Sequence, residues 1–195
     1  LAPFLGGFYG ECLEKGEIAL HYDRYGLGVR YFSLQLPVNL ESYSEVLTQN
    51  LNLLRKRLGS HHLDFIKLLG VLYALKNIPP KQESADRADQ ILFVKRMLWE
   101  LYTGTPEIKE HLDTNIARFN GTPGNPESFS LLDRLLSQQH YRLSFWKVAA
   151  EELDYRRFFN INELISLRVE DENVFRHSHA LIFKLVREGK FSGLR

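Results

Sequence analysis

The sequence HHLDFIKLLGVLYALK, residues 61–76, decides the fold class of this chain. Its apolar residues recur at the spacing of an α-helix and cover most of the helix circumference. They are Leu63, Phe65, Ile66, Leu68, Leu69, Val71, Leu72 and Leu75. A helix that is apolar almost all round is typical of the interior of a helical assembly. We therefore predict a central helix over residues 61–76 that packs among other helices.

Helical patterns continue on both sides of this stretch. Upstream, an apolar stripe runs over residues 42–58, and Gly59 is a typical residue to end a helix. Downstream, Thr105-Pro106-Glu107 and Asn125-Pro126-Glu127 each combine a capping side chain, a proline in the first turn and an acid near the positive end of the helix dipole. These signals predict helices over residues 106–119 and 126–138. The apolar pattern predicts another helix over residues 86–102, which Gly104 ends. The inward-facing residues of this helix are Ile91, Leu92, Met97, Leu98 and Leu101.

The beginning of the chain has a different period. Residues 17–22 and 29–36 alternate between apolar and polar side chains, and residues 25–28 supply turn material between them. This pattern predicts an N-terminal β-hairpin, which Pro37 ends.

The end of the chain mixes both periods. Residues 141–148 fit either a short strand or an irregular segment, and residues 162–168 predict a short helix. Asp171 caps a longer helix that ends at Gly189, and residues 191–195 predict a strand. The inward residues of that helix are Val174, Phe175, Leu181, Ile182, Leu185 and Val186. The predicted fold class is mainly α, a multi-helix, bundle-like domain with an N-terminal β-hairpin and a C-terminal strand stub.

Composition limits the classes of function. The chain has 195 residues, of which 44% are hydrophobic and 25% charged, so it is globular rather than disordered. Its formal net charge is +1, which argues against general nucleic-acid binding and against a polybasic membrane anchor. Cys12 is the single cysteine, so no internal disulfide forms and we expect a cytoplasmic protein. No stretch approaches the roughly 18 apolar residues that span a bilayer, and no signal-peptide pattern opens the chain.

Several kinds of catalytic site are missing from the sequence. It contains no Gly-x-Ser-x-Gly motif and no phosphate-binding loop, and Gly26-Leu27-Gly28 lacks the third glycine of a dinucleotide fingerprint. His61-His62 and the pair His177 and His179 have the wrong spacing to share a helix face. We therefore predict neither a metal site nor a cofactor, and we interpret Cys12 as a structural residue.

The chemically distinctive part of the chain is residues 141–164, where aromatic, arginine and amide side chains are concentrated. Aromatic faces can stack on the C–H faces of sugars, and guanidinium and amide groups can hydrogen-bond vicinal hydroxyls. The alternative is an aromatic-rich domain junction whose arginines reach solvent. Composition does not separate the two.

The same part of the chain resembles a known family. The sequences YRL (141–143), WKVA (146–149), YRRFFNINEL (155–164) and LRVE (167–170) resemble maltooligosyltrehalose synthase, of the α-amylase superfamily of glycoside hydrolases. PFLG (3–6), YGE (9–11) and GEI (16–18) resemble the family's segment before its inserted helical region. GKFSGLR (189–195) resembles the approach to the fourth barrel strand. Residues 40–137 carry no family motif.

The resemblance implies a function for the parent protein. The family converts the terminal α-1,4 linkage of a maltooligosaccharide to an α,α-1,1 linkage by intramolecular transglucosylation, through a covalent glucosyl-enzyme. Arg195 matches the arginine that supports the nucleophile two positions later, so the resemblance implies a chain without catalytic carboxylates and without activity on its own. The chain starts without methionine and stops at this arginine, so we expect an internal fragment.

The resemblance also implies a substrate site. The expected substrate-binding residues are Tyr155, Arg156, Arg157, Phe159, Asn160, Asn162, Glu163 and Trp146. At Asn160 the family is expected to carry aspartate, so this chain departs from the family there and loses a negative charge. The expected partners are maltooligosaccharide and the remainder of the catalytic barrel, with no nucleic acid and no membrane.

The expected organisation has three parts. Residues 1–39 form the hairpin segment, residues 40–139 the helical insert, and residues 140–195 the aromatic and arginine-rich segment. The insert is expected to shape and shield the substrate cleft. The alternative function is a helical protein-interaction module that binds a partner helix through an exposed apolar surface.

Overall fold

The structure is a computed structural model that describes residues 1–78, 85–152 and 167–191. It contains two compact units, Leu1–Glu151 and Glu152–Arg195. The predicted fold class, mainly α with a small N-terminal sheet, is confirmed. Of the predicted C-terminal elements, most of the short helix over 162–168 and the strand over 191–195 lie outside the described residues. The predicted three-part division of the chain stays a prediction.

The N-terminal sheet is an antiparallel meander rather than a two-stranded hairpin. Its strands are β2 (Ile18–Asp23), β3 (Gly26–Tyr31) and β4 (Leu34–Pro37). The prediction of one strand over residues 29–36 is wrong, because Phe32 has a φ of 49° and the chain reverses there. The predicted turn at 25–28 is also shorter than expected. Gly26 already belongs to β3, and a Cβ on this residue would collide with the Tyr43 hydroxyl.

Two polar side chains attach this sheet to the helices. The backbone N–H of Leu27 donates to the buried Tyr43 Oη over 2.8 Å. On the edge strand β2, Asn120 Oδ1 accepts from Leu20 N over 2.6 Å and Asn120 Nδ2 donates to Leu20 O over 2.9 Å. Both sets of bonds satisfy backbone groups that have no ladder partner there, and they place β2 and β3 over the helical core.

A second, parallel pair of strands joins the beginning of the chain to its later part. The first strand, β1 (Ala2–Leu5), pairs with β5 (Leu143–Phe145). Helix α1 (Tyr9–Glu14) follows β1 after a two-glycine loop. The sequence analysis did not predict β1, and it left residues 141–148 open between strand and irregular structure. Pairing with a strand 138 positions away explains why, since neither segment is stable as a strand alone.

The helices that follow the sheet form the core of the first unit. They are α2 (Tyr43–Leu47), α3 (Leu51–Leu58), α4 (Leu63–Lys76), α5 (Ala85–Gly104), α6 (Pro106–Phe119) and α7 (Ser130–Ser137). Short 3-10 turns, Leu40–Ser42 and Pro126–Phe129, precede α2 and α7. Helix α8 (Ala149–Glu152) follows β5 after a 3-10 turn, Trp146–Val148.

The predicted helix over residues 42–58 is in fact two helices. Asn50, with a φ of 52°, breaks the helical path between α2 and α3. The carbonyls exposed by the break are capped by α6. Asn115 Nδ2 lies 3.0 Å from both Val46 O and Gln49 O, and His111 Nε2 lies 3.0 Å from Leu47 O. The apolar stripe continues across the break, which is why the sequence pattern did not reveal it.

The sequence predicted that α4 is a central helix packed among other helices. This prediction is wrong for one face of α4, which is exposed to solvent. Phe65, Leu68, Val71, Leu72 and Leu75 are buried. The opposite face carries Leu63, Ile66, Leu69 and Tyr73, which are 63%, 49%, 42% and 71% exposed. Both faces are apolar, so the hydrophobic pattern alone could not tell the buried face from the exposed one.

The predicted start of α6 at Pro106 is correct, whereas α7 begins at Ser130, four residues after the predicted start, and neither helix has the predicted side-chain cap. Pro106 occupies the first turn of α6, but the Thr105 hydroxyl donates to Asp64 Oδ2 over 3.0 Å instead of capping the helix. Asn125 likewise makes no side-chain cap, and a 3-10 turn comes before α7. In α5, Leu98 and Leu101 are buried as predicted, whereas Leu92 is 66% exposed, so its inward assignment is wrong.

The described part of the second unit centres on helix α9 (Glu172–Arg187). Asp171 caps it as predicted, accepting from Asn173 N over 2.9 Å, and Gly189 follows the end with a φ of 68°. No residue of α9 is buried, and Leu181 is 67% exposed. The predicted inward assignment is therefore wrong for Phe175, Leu181 and Val186, which are exposed, whereas Val174, Ile182 and Leu185 are half-buried.

Candidate functional site

Of the predicted substrate-binding residues, Trp146 is the one that the structure describes. The other predicted site residues lie outside the described part of the chain, as does the expected nucleophile-supporting arginine. They are Tyr155, Arg156, Arg157, Phe159, Asn160, Asn162, Glu163 and Arg195. The candidate site is therefore built around Trp146.

Trp146 lies where the parallel strand pair ends. It follows β5 directly and opens a 3-10 turn, and its side chain is 49% exposed. Phe8 follows β1 across the Gly6-Gly7 loop, precedes α1 and is 64% exposed. Because β1 and β5 are parallel, their carboxyl ends meet at one edge, and both aromatic residues emerge there.

Four side chains form this edge of the strand pair, which we call the aromatic edge: Phe8, Phe145, Trp146 and Lys147. The ring centroids of Phe8 and Phe145 are 5.4 Å apart, and those of Phe145 and Trp146 are 5.9 Å apart. The Lys147 ammonium lies 5.5 Å from the Phe145 ring and 5.7 Å from the Trp146 ring. The result is an exposed apolar surface with a hydrogen-bond donor held beside it by cation–π attraction.

The loop that precedes Phe8 is held in place by a hydrogen bond to Tyr31 of β3. The backbone N–H of Gly6 donates to Tyr31 Oη over 2.8 Å, and a Cβ at Gly6 would lie only 3.2 Å from that oxygen. Cys12 lies buried under the same loop. Burial raises the pKa of the Cys12 thiol and the neighbouring Glu17 carboxylate raises it further, so the thiol stays protonated and takes a structural role.

Helix α1 is held by a second bond across the unit. The Tyr9 hydroxyl donates to Asp133 Oδ1 in α7 over 2.8 Å. Burial, together with this bond to a carboxylate, raises the pKa of Tyr9 well above its ordinary value. The bond fixes the start of α1 and therefore the position of Phe8, the residue just before it.

The residues just before the aromatic edge have structural roles. The Arg142 carbonyl accepts from Ala2 N over 2.7 Å, which begins the strand pairing. The Tyr141 ring packs against the core, and burial raises the pKa of its hydroxyl to about 12. The described residues of the predicted aromatic and arginine cluster therefore have different environments. Tyr141 packs against the core, whereas Trp146 is exposed to solvent.

Sequence reasoning missed Phe8 as a site residue. Its only local signal was the Gly6-Gly7 loop, and nothing in the sequence shows that this loop ends beside residues 145–147. The juxtaposition comes from the parallel pairing of β1 and β5.

A separate recess of about 360 Å³ lies between α3 and α6 and includes none of the predicted site residues that the structure describes. Arg57 and Glu110 pair across it at 2.8 Å, and this guanidinium lowers the pKa of the Glu110 carboxyl. Arg57, the last residue of the basic run at the end of α3, is thus paired within the fold, and the position of the run agrees with the preference for cations at a helix C-terminus.

No group of three or more His, Cys, Asp or Glu side chains in the described residues is placed to hold a metal ion. No helix in residues 1–78, 85–152 or 167–191 is both long and apolar enough to cross a membrane.

Comparison with known proteins gives one relationship. A stretch of 58 residues is 45% identical to proteins named "Putative maltooligosyl trehalose synthase" from two strains of Mycobacterium tuberculosis, CDC 1551 / Oshkosh and ATCC 25618 / H37Rv. The aligned stretch covers 30% of this chain and 7% of each relative. No protein-family model matches the chain, and no solved structure matches it.

Proposed function

We propose that this chain is the glucan-contacting, non-catalytic part of an enzyme that forms a terminal trehalose unit on a maltooligosaccharide. The 58-residue similarity to maltooligosyl trehalose synthases supports the choice of substrate class. The observation that carries the proposal is the aromatic edge, where Trp146 and Phe8 leave about half or more of their side chains open at the ends of two parallel strands.

The chemistry of this edge suits a glucosyl unit. The pyranose ring presents C–H groups on its faces and hydroxyls around its rim, so an exposed indole can cover a face while a cation donates to the rim. Lys147 lies within cation–π distance of both Phe145 and Trp146 and can supply that donor. The four described side chains of the edge offer aromatic faces and a donor, which suits binding and orientation of a sugar.

In the complete enzyme, the helical part of the chain would wall the cleft against water. Intramolecular transfer competes with hydrolysis of the covalent intermediate, so a shielded cleft favours transfer. Deleting residues 40–139 from the complete enzyme is expected to raise the ratio of hydrolysis to trehalose formation. An unchanged product ratio would contradict this shielding role.

The binding proposal is tested on the 195-residue chain by calorimetric titration with maltotriose. Trp146→Ala is expected to weaken binding about tenfold, because it removes the stacking surface. The matched control is Tyr25→Ala, which removes an aromatic side chain that is 67% exposed at the β2–β3 turn. Equal affinity of the Trp146 variant and the wild type, or no heat of binding with either, would contradict the proposal.

The same preparation tests the non-catalytic assignment. Incubation with maltotriose is expected to yield no glucose and no trehalose-terminated product. Formation of either by the chain alone, in proportion to its concentration, would overturn the assignment.

A second candidate function is protein–protein contact, favoured by the outer face of α4. Ile66, Leu69 and Tyr73 form an apolar stripe at helical spacing on this exposed face. If two copies of the chain pair through this stripe, the sedimentation coefficient will rise with concentration, and Leu69→Lys will abolish the rise. A monomer at all concentrations would exclude this self-pairing.

A further inference from the structure

A second group of aromatic rings is separate from the aromatic edge, and the proposed function does not assign these rings a role. Trp99 and Tyr102 of α5 stack with their centroids 5.5 Å apart and an interplanar angle of 23°. Tyr22 of β2 meets Tyr102 edge-on at 5.0 Å and Trp99 at 5.9 Å. These three rings are called the α5 aromatic group.

The three rings differ in how they relate to the core. Tyr22 and Tyr102 pack against it, and the Tyr22 hydroxyl is buried without a hydrogen-bond partner among the described residues. Trp99 is partly exposed and does not belong to the side chains packed on the core. All three rings are half-buried, and Trp99 is the one that does not pack on the core, so its indole is the ring we consider for contact with a ligand.

Polar groups of both signs border the rings. The Tyr102 hydroxyl donates to Asp113 Oδ1 over 2.8 Å. Lys109 Nζ lies 5.7 Å from the Tyr102 ring and 3.8 Å from Asp113 Oδ2. The charges of Lys109 and Asp113 offset each other, so the rim offers a donor and an acceptor without a net field that would select an ion.

We propose that the α5 aromatic group is a second binding site for a neutral sugar, which takes a glucosyl unit of an α-1,4-glucan on the indole of Trp99. An apolar ring face beside an ammonium and a carboxylate matches the apolar faces and polar rim of a pyranose. A nucleic-acid base could also stack there, but Lys109 already has a carboxylate partner to offset its charge. The choice of α-1,4-glucan as the ligand rests on the proposed function.

The two sites can be read separately, because the chain has two tryptophans, Trp99 and Trp146, and each belongs to one site. Trp146→Phe leaves Trp99 as the sole indole, and Trp99→Phe leaves Trp146. Each variant is titrated with maltoheptaose while tryptophan emission is recorded, and far-UV circular dichroism confirms that both are folded. Cellohexaose, a β-1,4-glucan, serves as the matched ligand control.

The expected result is a saturable emission change in both variants with maltoheptaose and a weaker response with cellohexaose. Adding Asp113→Asn to the Trp146→Phe variant keeps the side-chain shape but removes the charged acceptor. This change is expected to weaken the response of Trp99 about fivefold.

The remaining outcomes separate the two proposals. A response of Trp146 with none from Trp99 overturns the second site and leaves the proposed function standing. A response of Trp99 with none from Trp146 supports the second site and removes the aromatic edge as the glucan contact. If neither variant shows a change in tryptophan emission, both the second site and the proposed function are overturned. An equal response of Trp99 to maltoheptaose and cellohexaose overturns the assignment of this site to α-1,4-glucan.

Discussion

The environment of His21 in the sheet disfavours its charged form. Its ring is half-buried between strands, and Nε2 has no hydrogen-bond partner among the described residues. A Cβ at the cross-strand residue Gly28 would lie 2.7 Å from that nitrogen, so glycine is what makes room for the imidazole. Burial lowers the pKa of His21 below its ordinary value of 6.5, while the Asp23 carboxylate 3.8 Å away opposes the shift in part.

This shift predicts a loss of stability in mild acid. The folded-state pKa is below the unfolded one, so below about pH 6.5 the unfolded chain binds more protons and the stability contributed at higher pH is lost. The urea midpoint of the wild type should therefore fall between about pH 7.5 and about pH 5.5, and that of His21→Leu should fall less. If the variant and the wild type lose the same amount, His21 is not the cause.

At the scale of single elements, the break between α2 and α3 is stabilised from α6. Asn115 is 1% exposed, and its amide nitrogen satisfies the carbonyls of Val46 and Gln49. A helix end buried without such a donor would leave two carbonyls unpaired in the core. The short helices around Asn50 can therefore be accommodated only because α6 packs beside them.

Asn115→Leu is expected to lower the free energy of unfolding by about 2–3 kcal/mol, because it leaves buried carbonyls unpaired. The matched control is Asn77→Leu. The Asn77 amide also donates to a helix carbonyl, Tyr73 O at 2.7 Å, but this residue is exposed and water can replace the bond. We expect a loss below about 0.5 kcal/mol there, measured by urea unfolding. Similar losses in the two variants would show that Asn115 does not cap a buried break.

At the scale of the whole molecule, burial is concentrated in the first unit. The buried hydrophobic residues of the described chain run from Ala2 to Ala149, whereas α9 contributes none. An isolated helix of 16 residues is only marginally stable in water, since most helix stability comes from packing of an apolar face. The two units should therefore differ in local stability.

Amide hydrogen exchange followed by mass spectrometry tests this difference. Peptides from α9 are expected to exchange much faster than peptides from α6, a helix of 14 residues with four buried side chains. The two helices have similar lengths, 16 and 14 residues, so a difference in length does not explain a large difference in exchange rate. Equal protection of α9 and α6 would mean that the apolar face of α9 is covered in solution.

Local sequence patterns were enough to predict the fold class, the positions of most helices and several of the residues at which helices begin and end. Pro106, Asp171, Gly59 and Gly189 mark boundaries through the conformation of one or two residues, which local chemistry decides. The resemblance also pointed to Trp146. These are features that a window of neighbouring residues can specify.

The tertiary structure was needed to show which residues that are distant in the sequence are neighbours in space. It set Phe8 beside Phe145, the neighbour of Trp146, through a strand pair whose members are far apart in the chain, and it placed Tyr22 of β2 against Trp99 of α5. It also decided that one apolar face of α4 is buried and the other exposed. Hydrophobic periodicity records how apolar a face is, but burial depends on which partner arrives there, and that is a property of the whole fold.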